Sequence, residues 1–165
     1  QVTKVATATG SKKTKGVVTV VGLSKKGKKA SKLSVGTSVS KTVSKVKATY
    51  KINKLGKNAF KGAKAKKVTL GKTIKSIPAG AFKNCKKVKK ISVGKNVKTI
   101  GKNAFKGCKK LKTITLANKK VTIKKGAFAG LNTKKITVKA PKMSKKALKK
   151  FKKALKKAGF NGKVK

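Results

Sequence analysis

Apolar residues recur along the middle of the chain at a nearly constant spacing. Four phenylalanines, Phe60, Phe82, Phe105 and Phe128, stand 22, 23 and 23 residues apart. Each follows an alanine, and a branched apolar residue lies five positions earlier, as Ile100 does before Phe105. Self-similarity at such a period is typical of solenoids, in which each unit buries its apolar face against its neighbours. The pattern predicts about four stacked coils.

Each repeat also carries signals for a turn and for strands. Two residues after each phenylalanine comes Gly or Asn, which favours a turn with positive φ; these residues are Gly62, Asn84, Gly107 and Gly130. An apolar pair with period two follows, namely Val68/Leu70, Ile91/Val93, Ile114/Leu116 and Ile136/Val138. In the clearest unit we expect strands over 97–100 and 112–116, with a one-turn helix over 103–108. By this alignment, the first and last units are one residue shorter between the phenylalanine and the strand.

The frame IxxIGxxAFxxCxxLxxIxL, clearest over residues 97–116, resembles the BspA-like leucine-rich repeat of bacterial surface and secreted proteins. The resemblance covers residues 52–138. Ala63 replaces Cys in the first unit, and Lys124 replaces the usual Gly in the last, as suits terminal coils. The resemblance implies a curved solenoid displayed outside the cell and used for adhesion or partner binding, without catalysis.

The two ends of the chain differ from the repeat. Residues 1–51 contain two alternating apolar stretches, at 16–23 and 44–52, and predict a β-rich N-terminal cap. Residues 52–140 hold the repeats, and residues 141–165 predict a C-terminal capping helix. The expected fold is thus one domain of mixed, strand-rich class: a leucine-rich-repeat solenoid with a cap at each end.

The C-terminal helix is amphipathic. Ser144 is its expected N-cap and Gly159 its C-terminal stop. The apolar stripe consists of Met143, Ala147, Leu148, Phe151, Ala154, Leu155 and Ala158, with Lys on the remaining positions. Such a stripe can cover the last coil or insert into a membrane surface, and the need of a solenoid for a lid favours the first.

Cys85 and Cys108 occupy the same position in adjacent repeats. In-register coils would place them close enough for a disulfide by distance alone. Ala63 and Leu131 hold the equivalent positions, which indicates a small apolar core site and favours two free, buried thiols.

The charge balance excludes most catalytic chemistry. The chain has a formal net charge of +51, no Asp, Glu or His, and only Lys as a basic residue. General acid–base catalysis usually needs His or a carboxylate, and a Ser-His-Asp arrangement and the usual metal sites need residues that are absent. A Lys Schiff-base nucleophile stays formally open, but nothing distinguishes one lysine from the others. We therefore expect neither enzyme activity nor a metal or other cofactor. No apolar segment is long enough to predict a membrane span, and the start at Gln1 fits a fragment.

Six lysines share two repeat positions: Lys61, Lys83 and Lys106 in one row, and Lys64, Lys86 and Lys109 in the other. Stacked coils would place neighbours in a row roughly 5 Å apart, at a cost of about 0.8 kcal/mol per pair even in water. Since no acidic side chain offsets this repulsion, the two rows are candidate polyanion-binding residues.

The expected partners are wall teichoic acids, anionic glycans or anionic lipids, bound at the cell surface. Sequence-specific nucleic-acid binding is disfavoured because Arg is absent and the repeat phenylalanines are needed in the core, although non-specific binding in vitro is expected. The alternative is a structural or protein-interaction spacer. The sequence also leaves open whether the absence of acids is natural or the result of engineering.

Overall fold

The computed structural model describes residues 4–9, 17–22, 28–29, 31–35, 38–43 and 46–165. The strands of the N-terminal part are β1 (Lys4–Thr9), β2 (Val17–Gly22), β3 (Lys32–Val35), β4 (Ser38–Val43) and β5 (Val46–Leu55). Those that follow are β6 (Lys67–Leu70), β7 (Ser76–Ile77), β8 (Lys90–Val93), β9 (Thr99–Ile100), β10 (Thr113–Leu116), β11 (Thr122–Ile123), β12 (Thr137–Lys139) and β13 (Lys163–Val164). A 3-10 helix spans Thr133–Lys135, and helix α1 spans Lys145–Lys157.

Four strands of the N-terminal part form one mixed sheet, in the order β1-β2-β5-β4. Strands β2 and β5 pair in parallel at its centre, and each has an antiparallel neighbour outside it. They confirm the two strands predicted at 16–23 and 44–52. Val20, Ile52 and Leu55 are buried in the same core as the repeats, so this sheet covers one end of the solenoid.

The repeats form a six-stranded parallel sheet in the order β3-β6-β8-β10-β12-β13, which we call the repeat sheet. Equivalent residues pair directly: Val68 with Ile91, Ile91 with Ile114, and Ile114 with Val138. These side chains are buried, as the period-two alternation predicted. In-register parallel pairing of successive coils confirms the solenoid.

A second parallel sheet, β7-β9-β11, lies on another side of each coil, with Ile77, Ile100 and Ile123 in register. The segment between the two sheets is a run of turns, so the one-turn helix expected at 103–108 is wrong. Asn103 and Gly107 have φ values of 56° and 76°, and a right-handed helix cannot continue through such residues.

Each of these turn segments contains two residues with positive φ. The predicted position, two residues after each phenylalanine, has φ values of 60–76°, at Gly62, Asn84, Gly107 and Gly130. A second position, two residues before each phenylalanine, was missed and has φ values of 56–75°, at Asn58, Gly80, Asn103 and Gly126. The strict use of Asn or Gly at this second position was the available signal.

The phenylalanines of the repeats stack in a ladder through the centre of the solenoid. Ring centroids are 5.1 Å apart for Phe60 and Phe82, 5.8 Å for Phe82 and Phe105, and 5.5 Å for Phe105 and Phe128. The backbone amide of Phe82 donates to the carbonyl of Ala104 in the next coil at 2.8 Å, and the other coils repeat this bond. Backbone bonding and aromatic stacking thus fix the same register.

The last coil departs from the expected length. Val138, not Ile136, pairs with Ile114 in the repeat sheet. The distance from Phe128 to the equivalent strand residue is therefore ten residues rather than eight, and the prediction of a shorter last coil is wrong. The 3-10 helix Thr133–Lys135 takes up the added residues, and Ile136 is buried directly after it.

Helix α1 covers the C-terminal end of the solenoid, beside β11. The Ser144 side chain accepts a hydrogen bond from the amide of Ala147 at 3.3 Å, and Gly159 has a φ of 89°, as the predicted cap and stop require. Phe151 and Leu155 are buried against the core. Of the predicted stripe, Phe151, Leu155 and Ala158 are buried in the core whereas Ala147 is exposed, and this burial supports the capping interpretation.

Two features of this C-terminal end were not predicted. Phe160 follows the helix and places its ring 5.1 Å from that of Phe128, so it extends the phenylalanine ladder by one member. Strand β13 then pairs in parallel with β12 and extends the repeat sheet. Strands β3 and β13 lie outside residues 52–140, yet each contributes a strand to the repeat sheet. The division of the chain at residues 51 and 140 stays a prediction.

Phe105 stacks on a ring at both of its faces and is fully buried. We expect Phe105→Ala to lower the free energy of unfolding by about 3–5 kcal/mol, because it removes apolar burial and leaves a cavity in the middle of the ladder. Urea denaturation monitored by circular dichroism measures this loss. The control Thr115→Val changes an exposed strand residue and should alter stability by less than about 0.5 kcal/mol. Equal, small losses in both variants would contradict the ladder as the main core contact.

Candidate binding surface

The outer face of the repeat sheet carries a row of lysines. Lys32 pairs with Lys67, and Lys67 with Lys90, so these residues of β3, β6 and β8 lie side by side. All three are exposed, because side chains alternate along a strand and their neighbours Val68 and Ile91 point inward. Neighbouring strands are about 4.8 Å apart, which sets the spacing of the row.

A second row lies one residue earlier in the sequence. The amide of Lys89 donates to the carbonyl of Lys66 at 2.8 Å, and that of Lys112 to the carbonyl of Lys89 at 2.9 Å. Lys66, Lys89 and Lys112 are exposed. We call these three residues, with Lys32, Lys67 and Lys90, the strand lysines. The sequence analysis did not predict these residues, although several repeats have two consecutive lysines directly before the apolar strand residues.

The first predicted row lies in the turn segment. The amide of Gly62 donates to the carbonyl of Lys83 at 2.9 Å, and that of Asn84 to the carbonyl of Lys106 at 2.8 Å, so successive coils are in register here as well. Lys61 and Lys106 are exposed, while Lys83 is half-buried. Their part in binding stays a prediction.

The second predicted row is divided between two hollows. Lys64 and Lys86 line a hollow of about 380 Å³ together with Lys87. Lys109 lies farther along the solenoid, in a hollow of about 370 Å³ that we call the five-lysine hollow; its lining residues are Lys89, Lys109, Lys110, Leu111, Lys112 and Lys135. A third hollow, of about 190 Å³, contains Lys57, Lys83 and Lys102 from successive coils. Recesses between coils therefore concentrate positive charge beyond the two predicted rows.

Hydroxyl side chains form a neutral row beside the strand lysines. Ser34 pairs with Thr69, Thr69 with Ser92, and Ser92 with Thr115 across the repeat sheet. Each is exposed or half-buried on the outer face. The repeat sheet thus presents ammonium groups for anionic oxygens and, two residues along each strand, hydroxyl groups that both donate and accept hydrogen bonds.

The two cysteines belong to the core and not to this surface. Both are free and buried. The Cys85 thiol donates to the carbonyl of Phe60 at 2.9 Å, and the Cys108 thiol to the carbonyl of Phe82 at 3.1 Å. The neighbouring Cys85 thiol, together with burial, raises the pKa of Cys108 above its ordinary value. The same contact with Cys108 lowers the pKa of Cys85, so a thiol that stays protonated at neutral pH is inferred for Cys108 alone.

The described part of the chain contains no group of three or more His, Cys, Asp or Glu that could hold a metal ion. Among its helices, none is long and apolar enough to cross a membrane. The chemistry available at the described surface is therefore that of lysine ammonium groups, hydroxyl groups, amides and the backbone.

The sequence profile of the BspA type leucine-rich repeat region matches residues 38–154 in six copies. This chain belongs to the BspA-type leucine-rich-repeat family. Domains of this repeat type are typically non-catalytic. No curated protein shows a significant match to the chain.

One solved structure shares the fold: the crystal structure of the pneumococcal vaccine antigen PcpA. It matches with a TM-score of 0.50 and 20% sequence identity, over 83% of this chain and 44% of that one. The present chain thus spans less than half the length of the PcpA structure. At this identity the likeness supports the fold alone, and it agrees with the repeat sheet and the C-terminal helix.

The raised pKa of Cys108, caused first by the neighbouring Cys85 thiol and then by burial, predicts a pH-dependent loss of stability. Its folded pKa is raised above the unfolded value of 9.0, so the thiol's contribution is complete below pH 9.0 and decreases as the pH rises above it. Between about pH 8 and pH 10, we expect the wild type to lose more stability than Cys108→Ala, because Cys108 stays protonated in the folded state and ionises in the unfolded one. Urea denaturation of both proteins across this range measures the difference in the free energy of unfolding. Parallel pH profiles would contradict the raised pKa.

Repulsion among the lysines predicts an unusual salt response. Raising NaCl from about 10 mM to about 300 mM should increase the melting temperature, because screening and anion binding favour the folded state. At matched ionic strength, sulfate should raise it further than chloride. Differential scanning calorimetry measures both effects. A melting temperature indifferent to salt would show that the lysine rows are not under electrostatic strain.

Proposed function

We propose that this domain is a non-catalytic binding module of a bacterial surface protein, and that it engages linear polyanions through the strand lysines. The observation that carries the proposal is the register of the repeat sheet. It places Lys32, Lys67 and Lys90 in one exposed row, and Lys66, Lys89 and Lys112 in another beside it. Two parallel rows of regularly spaced cations are complementary to a chain of regularly spaced anions.

The absence of acidic side chains strengthens this argument. In most proteins a surface lysine is partly neutralised by a nearby carboxylate, but this chain contains no Asp or Glu. Its ammonium groups are therefore balanced by solution anions. A polyanion that replaces several of these small anions releases them, and their gain in entropy drives binding without specific contacts.

The use of lysine alone indicates the kind of ligand. Arg forms planar, bidentate contacts that recognise one carboxylate or phosphate in a fixed geometry, whereas Lys acts as a flexible point charge. A surface of lysines and hydroxyls therefore suits polymers with diffuse negative charge, such as teichoic acids and anionic glycans. Vesicles of anionic lipid present the same charge on a plane and serve as a comparison.

A location at the bacterial surface is part of the proposal. It is supported by membership of the BspA-type repeat family and by the shared fold of PcpA, which is itself described as a pneumococcal vaccine antigen. The alternative, a repeat spacer or protein-interaction module, would use the same fold with the charge serving only solubility. The two functions differ in whether binding depends on particular lysines.

The test compares three proteins that differ in where charge is removed. The row variant Lys66→Gln/Lys67→Gln/Lys90→Gln removes three strand lysines, and the helix variant Lys146→Gln/Lys150→Gln/Lys153→Gln removes three exposed lysines of α1. Affinity for purified poly(glycerol phosphate) teichoic acid is measured by isothermal titration calorimetry between about 50 and 500 mM NaCl. Circular dichroism checks that both variants remain folded.

Wild-type affinity should fall steeply with salt. In the row variant we expect affinity to fall about tenfold at 150 mM NaCl, with the slope of log affinity against log salt shallower by about two, because three phosphate contacts are lost. The helix variant should change affinity by less than about threefold. Salt-independent binding, or no binding at low salt, would contradict a polyanion ligand. Equal losses in both variants would contradict the strand lysines as its site.

A further inference from the structure

We infer that the five-lysine hollow is a separate site for a compact cluster of anionic oxygens, such as consecutive phosphates or the sulfates of one sugar unit. The inference rests on the proposed function and adds a ligand class and a location to it. Only Lys109 of this hollow belongs to the rows predicted from the sequence, and two members, Lys89 and Lys112, also belong to the strand lysines.

Three successive coils build the hollow. Lys89 comes from one coil, Lys109, Lys110 and Lys112 from the next, and Lys135 from the last. All five lysines are exposed, whereas Leu111 between them is only 4% exposed and gives the hollow an apolar floor. Charged groups around an apolar floor are less well screened than charges on a flat, fully hydrated surface.

The backbone holds these residues in fixed relation. The amide of Lys112 donates to the carbonyl of Lys89 at 2.9 Å, and the amide of Thr137 donates to the carbonyl of Lys112 at 2.8 Å. The three coils are therefore joined by hydrogen bonds at the hollow itself. A ligand can gather the side chains without a rearrangement of the main chain, which reduces the entropic cost of binding.

The irregular last coil contributes the fifth lysine. Its 3-10 helix, absent from the regular coils, places Lys135 at the hollow. Thr133 at the start of this helix is buried, and its hydroxyl accepts a hydrogen bond from the amide of Asn161 at 3.0 Å. The C-terminal segment thus anchors the 3-10 helix, so the position of Lys135 depends on the intact cap.

Three other hollows provide an internal comparison. Each contains three lysines rather than five: the hollow at Lys64, Lys86 and Lys87, the hollow at Lys57, Lys83 and Lys102, and a hollow of about 460 Å³ at Lys152, Lys156 and Lys163. A dense anion that contacts five ammonium groups at once relieves their mutual repulsion as well as forming its own contacts. A volume of about 370 Å³ suits a small ligand and not a folded macromolecule. The five-lysine hollow is therefore the expected position of highest affinity for a short, densely charged anion.

The experiment uses short, densely charged probes in place of a polymer. Sodium tripolyphosphate represents consecutive phosphates, and a trisulfated heparin disaccharide represents a sulfated sugar. Binding to the full chain at about 100 mM NaCl is measured by isothermal titration calorimetry, and amide chemical-shift changes locate each probe. The hollow variant is Lys109→Gln/Lys110→Gln/Lys135→Gln, which leaves every strand lysine in place. The helix variant Lys146→Gln/Lys150→Gln/Lys153→Gln is again the control, with an equal loss of charge.

We expect one tight site per chain, with amide shifts concentrated at residues 109–112 and around residue 135. The hollow variant should bind tripolyphosphate at least about tenfold more weakly than the wild type, and the helix variant within about twofold of it. The probe that binds more tightly identifies the ligand class as either a phosphate chain or a sulfated sugar. Shifts spread evenly over the lysines, or equal losses in both variants, would overturn the inference.

The outcome also separates this inference from the proposed function. If the hollow variant binds tripolyphosphate like the wild type while teichoic acid still binds with a steep salt dependence, the hollow is not a site and the proposed function stands. If the wild type binds neither the polymer nor the short probes at low salt, both proposals are overturned together.

Discussion

In-register stacking of successive coils is the interaction on which the rest of this structure depends. One register aligns the backbone hydrogen bonds of two parallel sheets, the phenylalanine ladder and the buried branched residues. A shift by one residue in either direction would turn the strand side chains to the opposite face, and would set lysines against the core. Because no single coil can bury its own apolar side, this register supplies both the stability and the shape.

The same register creates an electrostatic cost that the fold cannot remove. Repeating a sequence in register repeats its charges as well, so Lys67 stands beside Lys90 at the spacing of neighbouring strands. With no acidic side chain in the chain, the buried ladder must outweigh this repulsion. The cost becomes the basis of the proposed function, since a polyanion bound to the folded state offsets it. The same arrangement of lysines thus lowers the stability of the free domain and underlies the proposed binding.

Much of this fold could be predicted from the sequence, because each repeat shows the same spacing of core and turn residues. The positions of Phe105 and Gly107 predicted a core residue and a turn with positive φ, and both are confirmed. The candidate site was harder to predict. Exposed lysines follow no apolar periodicity, and which of them converge depends on strand pairing and on recesses between coils. Lys89 and Lys135 are 46 residues apart in sequence, yet they line one hollow.

The sequence by itself determined the period, the buried face of each coil and the family resemblance, since each follows from residue types at short spacing, and it showed that Asp, Glu and His are absent. Only the tertiary structure decided how the ends are closed. In the structure, Val138 rather than Ile136 pairs with Ile114, and a 3-10 helix precedes this strand. Packing placed Phe160 on the ladder, although it lies outside both the repeat and the helical stripe. Terminal coils meet unlike neighbours, so their geometry is set by long-range contacts that a repeat pattern cannot encode.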